Sequence, residues 1–264
     1  MMKMWRKGAA WLLVIAVLLC QMAVFGAEDT AVQAASVSSD VESRLKAFGI
    51  FGEYEQIDST PLTRADMAAY LIKAKNVNIE TMGGSQTFID VGTDSTYYKA
   101  VEAAYAYGIV KESSDGLFHP EREVSLTEAV TMAVRAMNRE GIAEMFGGWP
   151  QGHLTVASQT GLLEGIGSAQ ILTKTDAAIM IDNMLDAASV KLTYTATGET
   201  EIEENEDVTV LEDYFDVTEY RADIDEINKE AGLVTVTIRQ GEYAGHVRTY
   251  EVSDKIDLMT RRYS

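Results

Sequence analysis

The sequence is poor in cysteine and in positive charge. Among its 264 residues the single cysteine, Cys20, lies in an apolar stretch near the N-terminus. The rest of the chain therefore cannot form disulfides, and the residues just before Cys20 are not the small ones that precede a lipidated cysteine. There is no Lys/Arg-rich patch, and the formal net charge is -19. DNA, RNA and anionic membranes repel such a chain, which argues against nucleic acid as a partner.

Motifs of catalysis and cofactor binding are also missing. The sequence contains no nucleophile elbow, phosphate-binding loop, zinc signature or cysteine nucleophile. Its histidines, His119, His153 and His246, are far apart and have no cysteine or paired carboxylate at ligand spacing. The acidic run Glu199–Asp207 lacks the alternating Asp/Asn-Gly pattern of a calcium loop. We therefore expect no enzyme activity, no cofactor and no metal.

Residues 1–34 are predicted to direct export. Three basic side chains at the start precede the apolar stretch Trp11–Phe25, which has the length of a signal-peptide core and is short for a bilayer span. Cleavage after Gly26 or after Ala34 fits the small residues nearby, and Ala34 is favoured. An uncleaved membrane anchor is the alternative. With cleavage, the protein is secreted and has no stable membrane insertion.

One pattern occurs three times between residues 35 and 190. An amphipathic helix ends at a Gly followed by an aliphatic residue, and after a polar loop a Ser or Thr with an acid three residues later opens a second helix. The copies are Gly49-Ile50 with Thr63 and Asp66, Gly108-Ile109 with Ser125 and Glu128, and Gly161-Leu162 with Thr173 and Asp176. A single helix pair cannot bury its apolar face alone, whereas three pairs can, so we expect one all-helical domain.

Beyond residue 190 the composition and the residue pattern of the sequence change. Gly198–Asp207 is acidic and has no helical face, which indicates a solvated linker or loop. Thr218–Ile227 alternates in part, whereas Leu233–Arg239 and Val247–Val252 are rich in β-branched residues that alternate with polar ones. These segments predict a small antiparallel β unit.

The second copy contains an ordered set of motifs. Phe88-Ile89-Asp90-Val91 precedes its first helix, and Asp115-Gly116-Leu117-Phe118-His119-Pro120 precedes its cap. The first copy has Thr63-Arg64-Ala65-Asp66, and the third opens with Gly147-Gly148-Trp149-Pro150-Gln151-Gly152-His153. Together these motifs resemble S-layer homology repeats, which typically run F-x-D-V, G-I, D-G-T-F-x-P and T-R-A-E. The resemblance covers about residues 40–190.

The resemblance implies a fold and a role. The expected fold is mainly α, with three helix-pair repeats (about 40–78, 86–138 and 142–190) in a pseudo-trimeric bundle. The acidic linker and small antiparallel β unit would occupy residues 191–264. Such domains bind secondary cell wall polymers, often pyruvylated, and hold secreted proteins to the Gram-positive-type wall. The alternative is a structural surface-layer component that contacts other surface-layer proteins and no longer binds glycan.

Arg64 is the main candidate for binding the polymer. The resemblance assigns polymer contact to this arginine, which directly follows the cap Thr63. At a helix start we expect free N–H groups and the positive end of the helix dipole, beside which a guanidinium can bind a carboxylate with two hydrogen bonds. Lys174 occupies the same place in the third copy and keeps the charge without the fork, whereas the second copy has Leu126. A surface salt bridge is the alternative role for Arg64 and for Lys174.

Four further residues complete the candidate polymer site. Thr63 and Asp66 flank Arg64, although a purely structural capping role is their alternative. Asp90 either contacts ligand or caps the loop to the next helix. Trp149 either stacks on a sugar ring or packs in the core where the repeats meet.

Overall fold

The computed structural model describes residues 37–252, except 82–85, 168–170, 195–199, 219–221 and 240–242. The predicted export segment and its cleavage sites lie outside the described residues. Within them, eight α-helices occur: α1 Ser39–Ala47, α2 Arg64–Ala74, α3 Tyr98–Ala106, α4 Leu126–Ala136, α5 Glu140–Met145, α6 Gln151–Gln159, α7 Lys174–Asp186 and α8 Val210–Phe215. None of these helices is long and apolar enough to cross a membrane.

Five strands follow or interleave with the last helices. They are β1 Ala188–Tyr194, β2 Thr200–Thr209, β3 Ala222–Asn228, β4 Leu233–Ile238 and β5 Val247–Glu251. Strands β1 and β2 form an antiparallel pair, and β3, β4 and β5 form an antiparallel sheet in that order. The prediction of a mainly α protein with a small antiparallel β region near its C-terminus is confirmed.

The three predicted capping boxes are present at the starts of α2, α4 and α7. In each, the hydroxyl of the Ser or Thr accepts a hydrogen bond from the N–H three residues later, at 3.1, 3.3 and 3.3 Å. The acid at that later position accepts in return from the cap N–H, at 3.3, 3.3 and 2.8 Å. These helices therefore begin where local sequence alone predicts.

The glycines that end the first helices adopt the left-handed backbone that this position needs. Gly49, Gly108 and Gly161 have φ values of 70°, 70° and 71°. The aliphatic residue after each glycine is buried, and its N–H donates to a carbonyl five residues back: Ile50 to Leu45, Ile109 to Ala104 and Leu162 to Ala157. This geometry is a helix stop that turns the chain into the core.

Leu62, Val124 and Leu172 stand directly before the three cap residues, and their backbones form a closed ring of hydrogen bonds. The N–H of Leu62 donates to the carbonyl of Leu172 at 2.8 Å, that of Leu172 to Val124 at 3.4 Å, and that of Val124 to Leu62 at 3.0 Å. All three residues are fully buried. The second helices of the three copies therefore start from one shared centre.

A partly buried lysine connects α8 to the ends of α2 and α4. The Nζ atom of Lys75 donates to the carbonyl of Ala136 at 2.9 Å, to Oδ1 of Asn138 at 3.1 Å and to the hydroxyl of Tyr214 at 2.9 Å. It also lies 4.3 Å from the centroid of the Tyr214 ring. Burial lowers the pKa of Lys75 to about 8, although three acceptors surround its ammonium.

The expectation that Gly198–Asp207 is a solvated loop is wrong for residues 200–207, which belong to β2. The backbone groups of residues 200–205 pair with β1, which holds the strand although its composition is acidic. Arg139, with only 3% of its surface exposed, forms an ion pair with Glu204 and donates to the carbonyl of Ala188 at 3.0 Å. An arginine distant in sequence thus stabilises a strand that local composition does not predict.

The other three predicted strands are present, and most of their ends lie within one or two residues of the predicted ends. The Leu233–Arg239 segment forms β4, the Val247–Val252 segment forms β5, and the partly alternating segment that ends at Ile227 forms β3. Cross-strand polar pairs lie on this sheet, including the hydroxyls of Thr235 and Thr249 at 3.0 Å.

Candidate functional site

A cleft of about 250 Å³ opens beside the N-terminus of α2. Its walls come from α2, the turn after α3, α4 and the segment before α6, and therefore from all three copies of the pattern. The charged and aromatic side chains that line it are Arg64, Lys111, Glu128, Arg135 and Trp149. The cleft brings together Arg64 and Trp149, two candidates that are far apart in the sequence.

Arg64 is buried in the cleft wall and only weakly paired. It is 8% exposed, and its guanidinium lies 5.0 Å from the centroid of the Phe118 ring. Its Nη1 atom lies 3.4 Å from Oε1 of Glu128, and its Nη2 atom 3.4 Å from the carbonyl oxygen of Lys111. The buried Nε has no acceptor among the described residues. Burial lowers the pKa of Arg64, because the cation has lost water without gaining short hydrogen bonds.

The expectation that free backbone N–H groups assist Arg64 is wrong. The N–H of Arg64 donates to the carbonyl of Arg122 at 2.9 Å, and the N–H of Ala65 to that of Pro120 at 3.1 Å. The N–H of Asp66 is bound within the capping box. The loop of the second copy therefore takes up the donors that a helix N-terminus usually leaves free. An anion at this end of α2 must be bound by side chains.

Glu128 is the carboxylate nearest to Arg64, but its short hydrogen bonds are made to Arg122. Nη1 and Nη2 of Arg122 donate to Oε2 and Oε1 of Glu128 at 2.9 and 2.5 Å. These hydrogen bonds are the main reason that the pKa of Glu128 is lowered to about 2. Glu128 therefore stays ionised without fully neutralising Arg64.

Glu140 has a similar place on the other side of the cleft. Its carboxylate accepts from Nζ of Lys111 at 2.9 Å and from Nε and Nη2 of Arg135 at 2.8 and 3.1 Å. It also lies 2.7 Å from Nε2 of His153, a fully buried side chain on α6. Burial would raise the pKa of Glu140, but hydrogen bonds from Arg135, Lys111 and His153 lower it to about 2.

Thr63 and Asp66 point into the protein's own hydrogen-bond network. Thr63 is the cap of α2, and its hydroxyl lies 2.8 Å from Oδ2 of Asp66. The other carboxylate oxygen of Asp66 accepts from the hydroxyl of Tyr97 at 2.6 Å. Both carboxylate oxygens of Asp66 are engaged and the residue is only 8% exposed. This geometry is that of a structural capping residue, which was its alternative role.

Asp90 binds backbone rather than the cleft. Its Oδ1 accepts from the N–H of Phe118 at 3.0 Å and its Oδ2 from that of His119 at 2.7 Å. Turn-capping was its alternative role, but the loop that it caps is the one near residue 118 and not the one before α3. This loop holds Phe118, which is fully buried, beneath the guanidinium of Arg64.

Trp149 is 63% exposed at the cleft. This exposure is inconsistent with the alternative role of core packing. An exposed indole beside polar groups offers a flat apolar face on which a sugar ring can stack. The geometry thus keeps Trp149 as a candidate for ligand contact.

Lys174 does not line the Arg64 cleft. Its Nζ atom lies 3.0 Å from Oε1 of Glu55, an oxygen that also accepts from the hydroxyl of Tyr70. The N–H of Lys174 donates to the carbonyl of Thr60 at 3.0 Å. Lys174 therefore forms a salt bridge, which was the alternative to polymer contact. This salt bridge lies where the first and third copies meet, away from the Arg64 cleft.

Four cleft or near-cleft residues were not proposed as site residues on the basis of sequence. Glu128 and Arg135 are seven residues apart on α4, which places them on one helix face, so helical periodicity could have paired them. Lys111 and Glu140 carried no comparable signal, because they meet only when the turn after α3 packs against α5. In the described part of the chain, no three His, Cys, Asp or Glu side chains gather in a way that could hold a metal ion.

Comparison with known proteins gives the same family as the motifs. Residues 87–130, the core of the second copy, match the S-layer homology domain. The chain is 30% identical over 213 residues to a surface layer protein of Brevibacillus choshinensis, which covers 77% of this chain and 18% of that protein. It is 32% identical over 173 residues to the middle cell wall protein of Brevibacillus brevis, covering 61% of this chain and 16% of that protein.

A cell surface protein of Thermoanaerobacter kivui is more distant, at 26% identity over 136 residues, which are 50% of this chain and 17% of that protein. The chain thus spans less than a fifth of the length of each of these relatives. The residues matched to the family, 87–130, include Lys111 and Glu128 of the Arg64 cleft. This chain is an S-layer homology domain protein, with the domain matched at residues 87–130.

Proposed function

We propose that this protein is held to the cell wall by an anionic secondary wall polymer, often pyruvylated in this family, which binds in the Arg64 cleft. The observation that carries the proposal is the weakly paired, buried guanidinium of Arg64 in a cleft that Trp149 also lines. A carboxylate that enters the cleft would supply the short hydrogen bonds that Arg64 lacks. This role is structural and needs no catalysis.

The protein is a secreted cell-surface protein. It has an S-layer homology domain, and the relatives described above are named as surface layer, cell wall and cell surface proteins. Contacts with other surface-layer proteins are part of the proposal, since such proteins form layers.

We further propose that the three copies form a pseudo-trimeric bundle. The closed backbone ring through Leu62, Val124 and Leu172 supports this arrangement, because each copy donates to one neighbour and accepts from the other. The domain boundaries, with repeats at about 40–78, 86–138 and 142–190, remain a prediction.

The bundle would offer one strong binding site rather than three. At the junction that Lys174 faces, Glu55 already pairs with the ammonium, and the second copy has Leu126 at the equivalent position. The site must attract an anion through a few local cations against a net charge of -19, so binding should depend strongly on salt concentration.

Binding to sacculi tests the proposal. The full chain is incubated with purified Brevibacillus sacculi that are untreated, extracted to remove the secondary polymer, or treated with mild acid to hydrolyse ketal-linked pyruvate. We expect retention on untreated sacculi only. Retention on extracted sacculi would show that the polymer is not the ligand. Retention after the acid treatment would show that pyruvate is not needed for binding.

The substitution Arg64→Ala tests whether the cleft is the binding site. We expect it to lose sacculus binding, whereas Arg239→Ala, which removes an exposed arginine paired with Asp223, should bind as the unmodified protein does. Circular dichroism and thermal unfolding establish that Arg64→Ala is folded. Unchanged binding by folded Arg64→Ala would contradict the assignment.

A second candidate is a protein-interaction role without glycan binding. It is favoured by the two junctions at which arginine is absent. Light scattering on the purified protein decides between the two: a defined oligomer without wall material, together with no binding to sacculi, would favour this candidate.

A further inference from the structure

Two clusters of like composition flank the cleft. In the first, Arg64 and Arg122 share the carboxylate of Glu128. In the second, Lys111 and Arg135 share the carboxylate of Glu140. Each cluster has two cations and one anion, so each carries a net charge of about +1. On a chain of net charge -19, these are two positive poles at one cavity.

The carboxylates of both clusters are held firmly. Glu128 is bound by Arg122 and by its own helix cap, and Glu140 by Lys111, Arg135 and His153. An incoming anion therefore gains little by replacing either carboxylate, since the displaced carboxylate would leave several donors to be satisfied at once. The ligand must use the donors that remain.

Such donors exist in both clusters. The terminal nitrogens of Arg64 have only contacts of 3.4 Å. Arg135 donates through Nε and Nη2, while its Nη1 has no acceptor among the described residues. Among the described residues the Nζ atom of Lys111 has one hydrogen-bond acceptor, Glu140, and the side chain is 63% exposed. Each pole can thus bind one anionic group.

We propose that the cleft recognises a saccharide unit with two anionic groups, one bound by Arg64 and the other by Lys111 and Arg135, while the sugar ring stacks on Trp149. The inference rests on the proposed function and adds its ligand class. Glu140 is the positioning residue of the second pole, because it orients both cations and ties them to His153 on α6.

Three sugars test the two-point recognition: glucuronic acid, which has a carboxylate; glucose 1-phosphate, which has a phosphate; and glucuronic acid 1-phosphate, which has both. The chain has three tryptophans, and Trp5 and Trp11 lie in the predicted export segment. Replacing these two with Phe leaves Trp149 as the sole tryptophan, so that selectively excited tryptophan emission reports on the cleft. We expect the Kd of the doubly anionic sugar to be about tenfold lower than that of either other sugar.

Lys111→Gln should raise the Kd of the doubly anionic sugar about fivefold, which brings it close to the Kd of glucuronic acid. Lys99→Gln is the matched control, since Lys99 is also an exposed lysine bound to one carboxylate, Glu80. Equal Kd values for the three sugars, the same loss for all three sugars in Lys111→Gln, or no binding of any of them would overturn the inference. If sacculus binding still depends on Arg64 in those cases, the proposed function stands without it.

Discussion

The first residue of α2, Arg64, and the third residue of α4, Glu128, lie in different copies of the pattern, and their Nη1 and Oε1 atoms are 3.4 Å apart. The capping box of one copy thus supplies a wall of the cleft for the arginine of another. The distance is long for an ion pair, because Arg122 holds the same carboxylate more closely.

Arg64→Lys tests whether the forked guanidinium matters. Lysine keeps the charge but cannot give two parallel hydrogen bonds to a carboxylate, so we expect sacculus binding to weaken about tenfold. The readout is the fraction retained on sacculi as the protein concentration is varied. Equal retention of Arg64→Lys and the unmodified protein would show that only charge is needed.

Trp149→Ala should weaken binding without loss of stability. The side chain is 63% exposed, so we expect the free energy of unfolding to change by less than about 0.5 kcal/mol. Loss of a stacking surface should raise the Kd for sacculi about fivefold. Trp149→Phe keeps an aromatic face and serves as the control; a similar loss in both variants would argue against stacking.

Lys174→Ala should show the opposite pattern. Its ammonium is bound to Glu55, so its removal leaves a half-buried carboxylate with one partner fewer and should lower the free energy of unfolding by about 1 kcal/mol. Sacculus binding, measured beside urea unfolding, should stay within about twofold. A large loss of binding in a stable Lys174→Ala protein would restore Lys174 as a site residue.

Acid should destabilise the cleft through Glu140. Its folded-state pKa is about 2, below its ordinary value of 4.5, so its stabilising contribution is complete above pH 4.5 and is lost as the pH falls toward 2. Glu140→Gln removes this titration. In urea unfolding between pH 7 and pH 3 we expect the variant to lose about 1 to 2 kcal/mol less than the unmodified protein; parallel losses would contradict the assignment.

Mild alkali should stabilise the folded protein through Lys75. Its folded-state pKa is about 8, against an ordinary value of 10.5, so the folded protein releases this proton first. Stability therefore rises as the pH increases from 8 toward 10.5, by up to about 3 kcal/mol. Lys75→Met, which cannot titrate, should show a flatter profile over pH 7.5 to 10, measured by urea unfolding. Identical slopes would rule out Lys75 as the cause.

The helix ends could be predicted from sequence because their hydrogen bonds are local. Thr63 and Asp66 are three residues apart, and Gly108 ends its helix through its own backbone angle, so a short segment contains the whole motif. The same locality led to an error at the site. The N–H of Arg64 was expected to be free, but the carbonyl of Arg122 from another copy binds it.

Non-local contacts explain what else could not be predicted. Strand β2 is too acidic to be recognised from composition, and it is held by pairing with β1 and by Arg139, which lies before α5. The second pole of the cleft depends on Lys111 and Glu140, from a turn and a short helix that meet only in the packed protein. Sequence patterns within one copy carry no information on such contacts.

The backbone ring through Leu62, Val124 and Leu172 limits how this architecture can evolve. In an open array of repeats, a further unit can be added at either end, because each unit contacts only its neighbours. A ring in which Leu62 donates to Leu172, Leu172 to Val124 and Val124 back to Leu62 has no end at which to add a fourth member. Longer proteins that need tighter attachment would therefore gain it by duplicating the complete triplet, not by lengthening it.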